Sequence, residues 1–311
     1  MGVGTEAPNA DARFVHPALF YKGLDDYLEG VGGFLQAGLR AGEPVFASVP
    51  PVRLTPLREH LGGDANRMHL FDMSEVGRNP GRIMTALTDF AGRRGSGRAR
   101  MVGEPIWASR TPTEIREATR HEALINLAFA EVPVTILCPY DVNELPAAVL
   151  ADAERTHPVL WAGQQRAASS AYTDPHQLNA EFDTLLEPEP AGAERHVLTR
   201  SELGYLRHRV ADFGRAAGLD AERVTDFRQA FAEAAANAIR YGGGSGMVSL
   251  WRRPNDVVAQ VRDHGRLADP LAGRRRPALD ATGGRGLWMI HQMCDLVEFG
   301  PGVIRLHLAL R

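Results

Sequence analysis

The chain has 311 residues, a formal net charge of −3, and 44% hydrophobic and 23% charged residues. These values fit a globular protein of two domains and argue against a nucleic acid or an anionic membrane as its bulk target. Two distant cysteines, Cys138 and Cys294, make no disulfide framework, and no stretch approaches the roughly 20 apolar residues of a membrane span or the pattern of a secretory leader, so a cytoplasmic protein with no direct nucleic-acid or membrane partner is expected.

From about residue 14 to 160, short apolar runs alternate with amphipathic stretches. The strand-like runs are PVFASV (44–49), MHLFDM (68–73), ARMVGE (99–104) and VPVTILC (132–138); helix-like segments cover 23–40, 53–61, 80–93, 112–130 and 143–154. This alternation predicts βα units and a mostly parallel sheet covered on both faces. GVGGFLQAG (30–38) is rich in glycine but lacks the lysine of a phosphate loop and lies inside a helical pattern.

Four stretches stand out in this half: FVHPALFY (14–21), GEPIWASR (103–110), RHEALINLAF (120–129) and CPYD (138–141). GEPIW and CPYD each follow a predicted strand, and such strand ends form the ligand crevice of a parallel sheet. Glu104, Trp107, Cys138, Tyr140 and Asp141 are therefore expected to converge with His16 and His121 on a small-molecule ligand. Plainer readings stand beside this one: Trp107 as core, Cys138 as a small buried hydrophobe, and Arg120-His121-Glu122 as a buried ion-pair network. One cysteine and two scattered histidines lack metal-ligand spacing. In order and wording the four stretches resemble the MEDS sensory domain, a relative of the RecA/KaiC-type fold without its phosphate loop. The resemblance covers about residues 12 to 162 and implies a parallel α/β sensory domain at 12–165.

Residues 166–195 are read as a linker, because DPHQLNAEFDTLLEPEPAGAER (174–195) is polar, has three prolines and carries one short helix around Leu178 to Leu186. Helices follow at about 200–218 and 221–241. Next come two hairpin-joined strands, MVSLWRR (247–253) and DVVAQVRDH (256–264), an Arg/Gly-rich loop, a helix LWMIHQMCDLV (287–297) and a last strand VIRLHLAL (303–310). Helices first and an antiparallel sheet later indicate an α/β sandwich over 196–311.

In the second of these helices Val224, Phe227, Phe231, Ala234 and Ala238 form an apolar stripe, and Glu233 and Asn237 lie one above the other on its flank. A polar pair at that spacing is also an ordinary surface feature. Asp263-His264-Gly265 closes a strand. Such an aspartate can accept from an exocyclic amine, and the glycine lets a flat ring approach; a turn aspartate is the bland alternative. Thr282-Gly283-Gly284-Arg285-Gly286-Leu287 opens a helix, whose N-terminal amides attract phosphate; a loop tip would look similar.

In this order the three signals resemble the GHKL ATPases, in the branch of anti-sigma switch kinases, over about residues 195 to 311. The resemblance implies an α/β sandwich with a mixed, mainly antiparallel sheet, and ATP with Mg²⁺ as cofactors. It implies Asn237 as Mg²⁺ ligand, Glu233 as general base toward a serine or threonine of a partner, and Asp263 with Gly265 at the adenine. Gly283, Gly284, Arg285 and Gly286 would lie at the phosphates. A second glycine often found two residues after Gly265 is replaced by Leu267, and His208, ahead of Glu233, lacks the acidic follower of a phospho-acceptor. Arg274, Arg275 and Arg276 fall in the implied lid and serve phosphate contact, partner docking or solvation. The expected function is a transcription regulator that holds a sigma factor and phosphorylates a STAS-type anti-anti-sigma protein. A catalytically inactive nucleotide-binding scaffold, a histidine-kinase-like signalling ATPase and a homodimer remain open, as does a small-molecule enzyme in the first domain.

Overall fold

The computed structural model describes residues 13–95, 97–278 and 284–310, and the chain divides into two compact units after Leu178. The first unit contains strands β1 (Phe14–Val15), β2 (Pro17–Tyr21), β3 (Val45–Val49), β4 (His69–Asp72), β5 (Ala99–Gly103), β6 (Val134–Asp141), β7 (Val159–Ala162) and β8 (Gln165–Ala168). Its helices are α1 (Gly23–Tyr27), α2 (Gly33–Arg40), α3 (Pro51–Leu61), α4 (Met73–Val76), α5 (Pro80–Ala91), α6 (Pro112–Phe129) and α7 (Ala147–Thr156), and α8 (Pro175–Asp183) follows. The strand order is β4-β3-β5-β6-β2-β7-β8, with β1 also on β6. Every pairing is parallel except β7 with β8.

Leu19, Val45, Ala47, Val102 and Leu137 share one core with Tyr27, Val31, Leu35 and Leu57. Alternate strand residues bury the other face, where Phe46 meets Phe90 of α5 at 5.2 Å. A strand covered on both sides cannot alternate apolar with polar, so its sequence reads as a continuous apolar run. Helix α6 starts on a capping box in which the Glu114 N–H donates to Thr111 Oγ1 (3.3 Å) and the Thr111 N–H to Glu114 Oε2 (2.8 Å). The glycine-rich GVGG lies within helical structure, as a π-helical turn over Leu28–Gly32 between α1 and α2.

The second unit contains β9 (Glu194–Leu198), α9 (Leu203–Ala217), α10 (Ala221–Tyr241), β10 (Gly246–Arg252), β11 (Asp256–Arg262), α11 (Arg285–Met293), β12 (Leu296–Gly300) and β13 (Val303–Ala309). The sheet order is β12-β13-β11-β10-β9, and each described pairing is antiparallel. Helix α10 begins where Asp220 accepts from the Arg223 N–H at 2.8 Å. Its predicted stripe of Val224, Phe227, Phe231, Ala234 and Ala238 is buried, together with Leu250, Ala259 and Leu306 of the sheet.

The outer face of this sheet buries polar side chains instead. His307 sits between Asp256 Oδ2 (2.9 Å) and Glu298 Oε2 (2.8 Å). Burial alone would lower its pKa, but the two carboxylates overcome that and raise it. Arg305 Nη2 donates to Gln260 Oε1 (2.7 Å) and to the Glu187 carbonyl (2.8 Å), and Gln260 Nε2 donates to Glu189 Oε2 (3.0 Å). The acid–proline segment read as part of a linker is thus bonded to the sheet, and residues 166–195 also hold α8 and parts of β8 and β9.

One predicted helix is shorter than expected. The periodic run to residue 297 stops at Met293, and Leu296–Gly300 becomes an edge strand. Arg223 explains the stop: its Nη1 donates to the Met293 carbonyl (3.1 Å), and its Nη2 pairs with Asp295, whose carboxylate also accepts from the Ala309 N–H (2.7 Å). Tertiary partners end this helix, and local pattern does not register them.

Candidate functional site

A cavity of about 440 Å³ opens in the second unit, within the range of ligand pockets. Glu233 and Asn237 of α10 line it, with Asp263 and Gly265 after β11 and Gly284, Arg285 and Gly286 at the start of α11. Three stretches far apart in sequence therefore share one wall. Ala234, Leu287, Phe299, Val303 and Ile304 add an apolar lining.

Close backbone approach creates this arrangement. A Cβ on Gly286 would lie 2.6 Å from Glu233 Oε2 and 3.8 Å from Asn237 Nδ2, so glycine lets the first turn of α11 abut the two polar side chains of α10 without displacing the Glu233 carboxylate. On the other side, a Cβ on Gly242 would stand 2.6 Å from Asp263 Oδ1. The glycines after α10 stop the helix and also make room for the aspartate. Asp263 is then fixed by three bonds: its N–H donates to the Gly302 carbonyl (2.8 Å), its Oδ1 accepts from the Gly265 N–H (2.6 Å), and the neighbouring His264 N–H donates to the Gly242 carbonyl (3.1 Å). Helix α11 begins after Gly284, at φ +83°, which has no side chain to cap it, and Gly284 to Leu287 line the pocket at the helix N-terminus.

Sequence reading found most of this wall and missed Gly242 and Gly302. The signal for them was available as the glycine triplet after α10 and the GPG turn before β13. Leu267 lines the cavity as an exposed apolar residue. Gly283 and Thr282 lie outside the described residues. The arginine run is divided: Arg274 is buried beside His291, whose pKa falls well below normal through burial and that guanidinium, whereas Arg275 and Arg276 are exposed. His208 on α9 is exposed.

Comparison with known families accounts for both units. A model for the histidine kinase-like ATPase domain matches residues 198–309, which include the whole pocket wall. A second, described as the methanogen/methylotroph, DcmR sensory domain (MEDS), matches residues 15–158. The chain joins a MEDS domain to a histidine kinase-like ATPase domain. No curated protein matches it.

In the MEDS domain the expected convergence of seven residues does not occur. CPYD is the second half of β6 and not a loop after it. Side chains alternate along a strand, so Cys138 and Tyr140 face one way and Asp141 the other. Two buried clusters result. In one, at the carboxyl ends of the strands, Tyr21 Oη donates to Glu104 Oε1 (3.1 Å) and Arg53 Nη2 to Asp141 Oδ2 (2.7 Å). Burial drives the Glu104 pKa up to about 8, against the pull of Arg53. The other gathers His16, Cys138 and Tyr140 with Glu122 and His157, which the sequence reading had not named as a site. Trp107 belongs to neither cluster: its Nε1 donates to Ser109 Oγ (2.8 Å) and Arg110 stacks over its ring at 3.9 Å. His121 is buried on α6. Of the alternative ion-pair network Arg120-His121-Glu122, Arg120 pairs with Glu117 at 3.3 Å and Glu122 lies 3.1 Å from His16 Nε2. Among the described residues, no helix is long and apolar enough to cross a membrane.

Proposed function

We propose that the histidine kinase-like ATPase domain binds ATP with Mg²⁺ in this pocket and acts as an anti-sigma serine/threonine kinase in the cytoplasm. The reading is carried by one observation: Glu233, Asn237, Asp263 and the first turn of α11 line one cavity of about 440 Å³. The donor set fits the nucleotide. Asn237 offers a neutral oxygen of the kind Mg²⁺ accepts beside phosphate and water. The α11 amides suit phosphate oxygens. Asp263 has its Oδ1 committed to Gly265, and its second oxygen is the acceptor for an exocyclic amine. When bound, Mg²⁺ neutralises phosphate charge, while the protein contributes positioning. Glu233, one helical turn from Asn237, would take the proton of an incoming serine or threonine hydroxyl on a STAS-type anti-anti-sigma partner. Holding a sigma factor would be the other arm of the same regulator, with the MEDS domain as its input.

Titration calorimetry with ATP, with and without Mg²⁺, tests the pocket on the wild type and Asn237→Ala. Mg²⁺-dependent binding that the variant loses supports the assignment; no ATP binding by the wild type, or unchanged binding by the variant, overturns it. Labelled ATP and candidate STAS-type proteins then separate kinase from scaffold. Transfer by the wild type but not by Glu233→Ala is the kinase result, and ATP binding without transfer is the scaffold result.

A further inference from the structure

The buried cluster around Cys138 brings four metal-ligating side chains together. His16 Nε2, His157 Nε2, Glu122 Oε2 and Cys138 Sγ all lie within 4.8 Å of one another. Glu122 Oε2 is 3.1 Å from His16 Nε2, 3.1 Å from Cys138 Sγ and 3.3 Å from His157 Nε2, and Cys138 Sγ is 3.4 Å from His16 Nε2. All four side chains are sealed from solvent, at 0–1% exposure.

The other ring nitrogens decide where the protons are. His16 Nδ1 is 3.1 Å from Asn126 Oδ1. The Asn126 amide is oriented by its Nδ2, which donates to the carbonyls of Thr156 (2.8 Å) and Ala123 (3.2 Å), so its Oδ1 is the acceptor. His157 Nδ1 is 2.9 Å from the Ala153 carbonyl, which only accepts. Both rings therefore carry Nδ1–H, and a neutral imidazole has one proton. With both rings neutral, the two Nε2 lone pairs and the Glu122 carboxylate converge with the Cys138 S–H. His157 Nε2 and Glu122 Oε1 are buried without a hydrogen-bond partner, which is costly unless something cationic satisfies them.

We propose that His16, Glu122, Cys138 and His157 form a tetrahedral binding site for a borderline-soft divalent cation, Zn²⁺ by its donor set, inside the MEDS domain. Two imidazoles, a carboxylate and a thiolate are zinc donors, and bonds of about 2.0–2.3 Å give tetrahedral edges of about 3.3–3.6 Å. Four of the six edges are observed at 3.1–3.4 Å, and all the donor atoms lie within 4.8 Å of one another, so small shifts of the side chains bring them to a tetrahedron. Charge balances as well: the ion's two positive charges meet one carboxylate and one thiolate, so the buried group is neutral. Binding replaces the Cys138 S–H by an S–metal bond and releases that proton to solvent. Asn126 and the Ala153 carbonyl fix the rings from behind, as outer partners of metal-bound histidines do. The site joins the β1–β2 junction, α6, β6 and the end of α7, and four protein ligands leave no open position, which is the form of a structural zinc site.

Elemental analysis of the purified full-length chain, followed by chelator stripping and refilling with Co²⁺, tests this. Expected are about one equivalent of metal per chain, intense visible bands of tetrahedral Co²⁺ and a thiolate-to-cobalt charge-transfer band in the near ultraviolet. Cys138→Ser should lose the charge-transfer band, and Asn126→Ala should weaken metal affinity by about 10–100-fold. The wild type keeps the test decisive if a variant fails to fold. A stripped wild type that stays folded by circular dichroism yet takes up neither Zn²⁺ nor Co²⁺, or shows only weak octahedral Co²⁺ bands, overturns the proposal; the cluster is then a protonated histidine paired with Glu122.

Discussion

The two polar constellations of this chain differ in access. In the histidine kinase-like ATPase domain, Glu233, Asn237 and Asp263 are half-buried around an open cavity, and glycines on the facing elements keep that space clear. In the MEDS domain, His16, Glu122, Cys138 and His157 are wholly buried and within contact distance of one another. An open wall of separated polar groups suits a sizeable ligand that enters and leaves. A sealed set of converging donors has room only for something the size of an ion. Similar residue types thus serve different ends according to how closely the backbone packs them.

Replacing the most firmly held wall residue should break the open site. Asp263→Ala removes a charged acceptor and releases the Gly265 N–H, so ATP affinity should fall by about 30–150-fold, from roughly 2–3 kcal/mol for a bond to a charged group. Calorimetry beside a thermal melt separates this from unfolding, and unchanged affinity would remove Asp263 from the site. A second effect, spread over several pH units, comes from the buried cluster at the strand ends of the MEDS domain. Glu104, with an ordinary pKa of 4.5 and a folded value of about 8, binds more protons folded than unfolded across that window. Stability therefore falls as pH rises from about 4.5 to 8, by up to about 1.4 kcal/mol per unit, and levels off above. Glu104→Gln should flatten that slope in denaturant titrations; an identical slope would show that Glu104 is ionised when folded. The smallest change is Gly286→Ala. Its methyl meets only the mobile end of Glu233, so ATP affinity should drop by a few-fold, about 0.5–1 kcal/mol. Phosphate transfer, if Glu233 is the base, should drop further than binding.

Legibility differed between the two sites for a geometric reason. The ATPase wall is built from short local signals, a carboxylate and an amide one turn apart on α10, an aspartate closing β11 and glycines opening α11, and each can be read inside its own element. Gly242 and Gly302 escaped because their task is to make room for Asp263, which belongs to a different strand. The MEDS cluster draws one side chain from each of four elements, so no spacing marks it. His16 and Cys138 were noticed for their type, while Glu122 was read as a partner of Arg120 and His157 passed unremarked. The early end of α11 has the same origin, in Arg223 some 70 residues away.

By itself the sequence determined most of the helices and the strands β3 to β6, β10, β11 and β13, because periodicity, caps and turn residues act over a few neighbours, whereas β1, β2, β7, β8, β9 and β12 were not legible as strands. It also determined the division into a parallel and an antiparallel α/β unit and several of the residues that line the cavity, Glu233, Asn237, Asp263, Gly265 and Gly284 to Gly286. Tertiary structure alone decided which polar groups meet. Strand alternation sends Asp141 to Glu104's cluster and Cys138 to the histidines, and parallel pairing sets His16 beside β6. Distances of about 3 Å between residues more than a hundred positions apart are a property of packing, and local sequence carries no record of them.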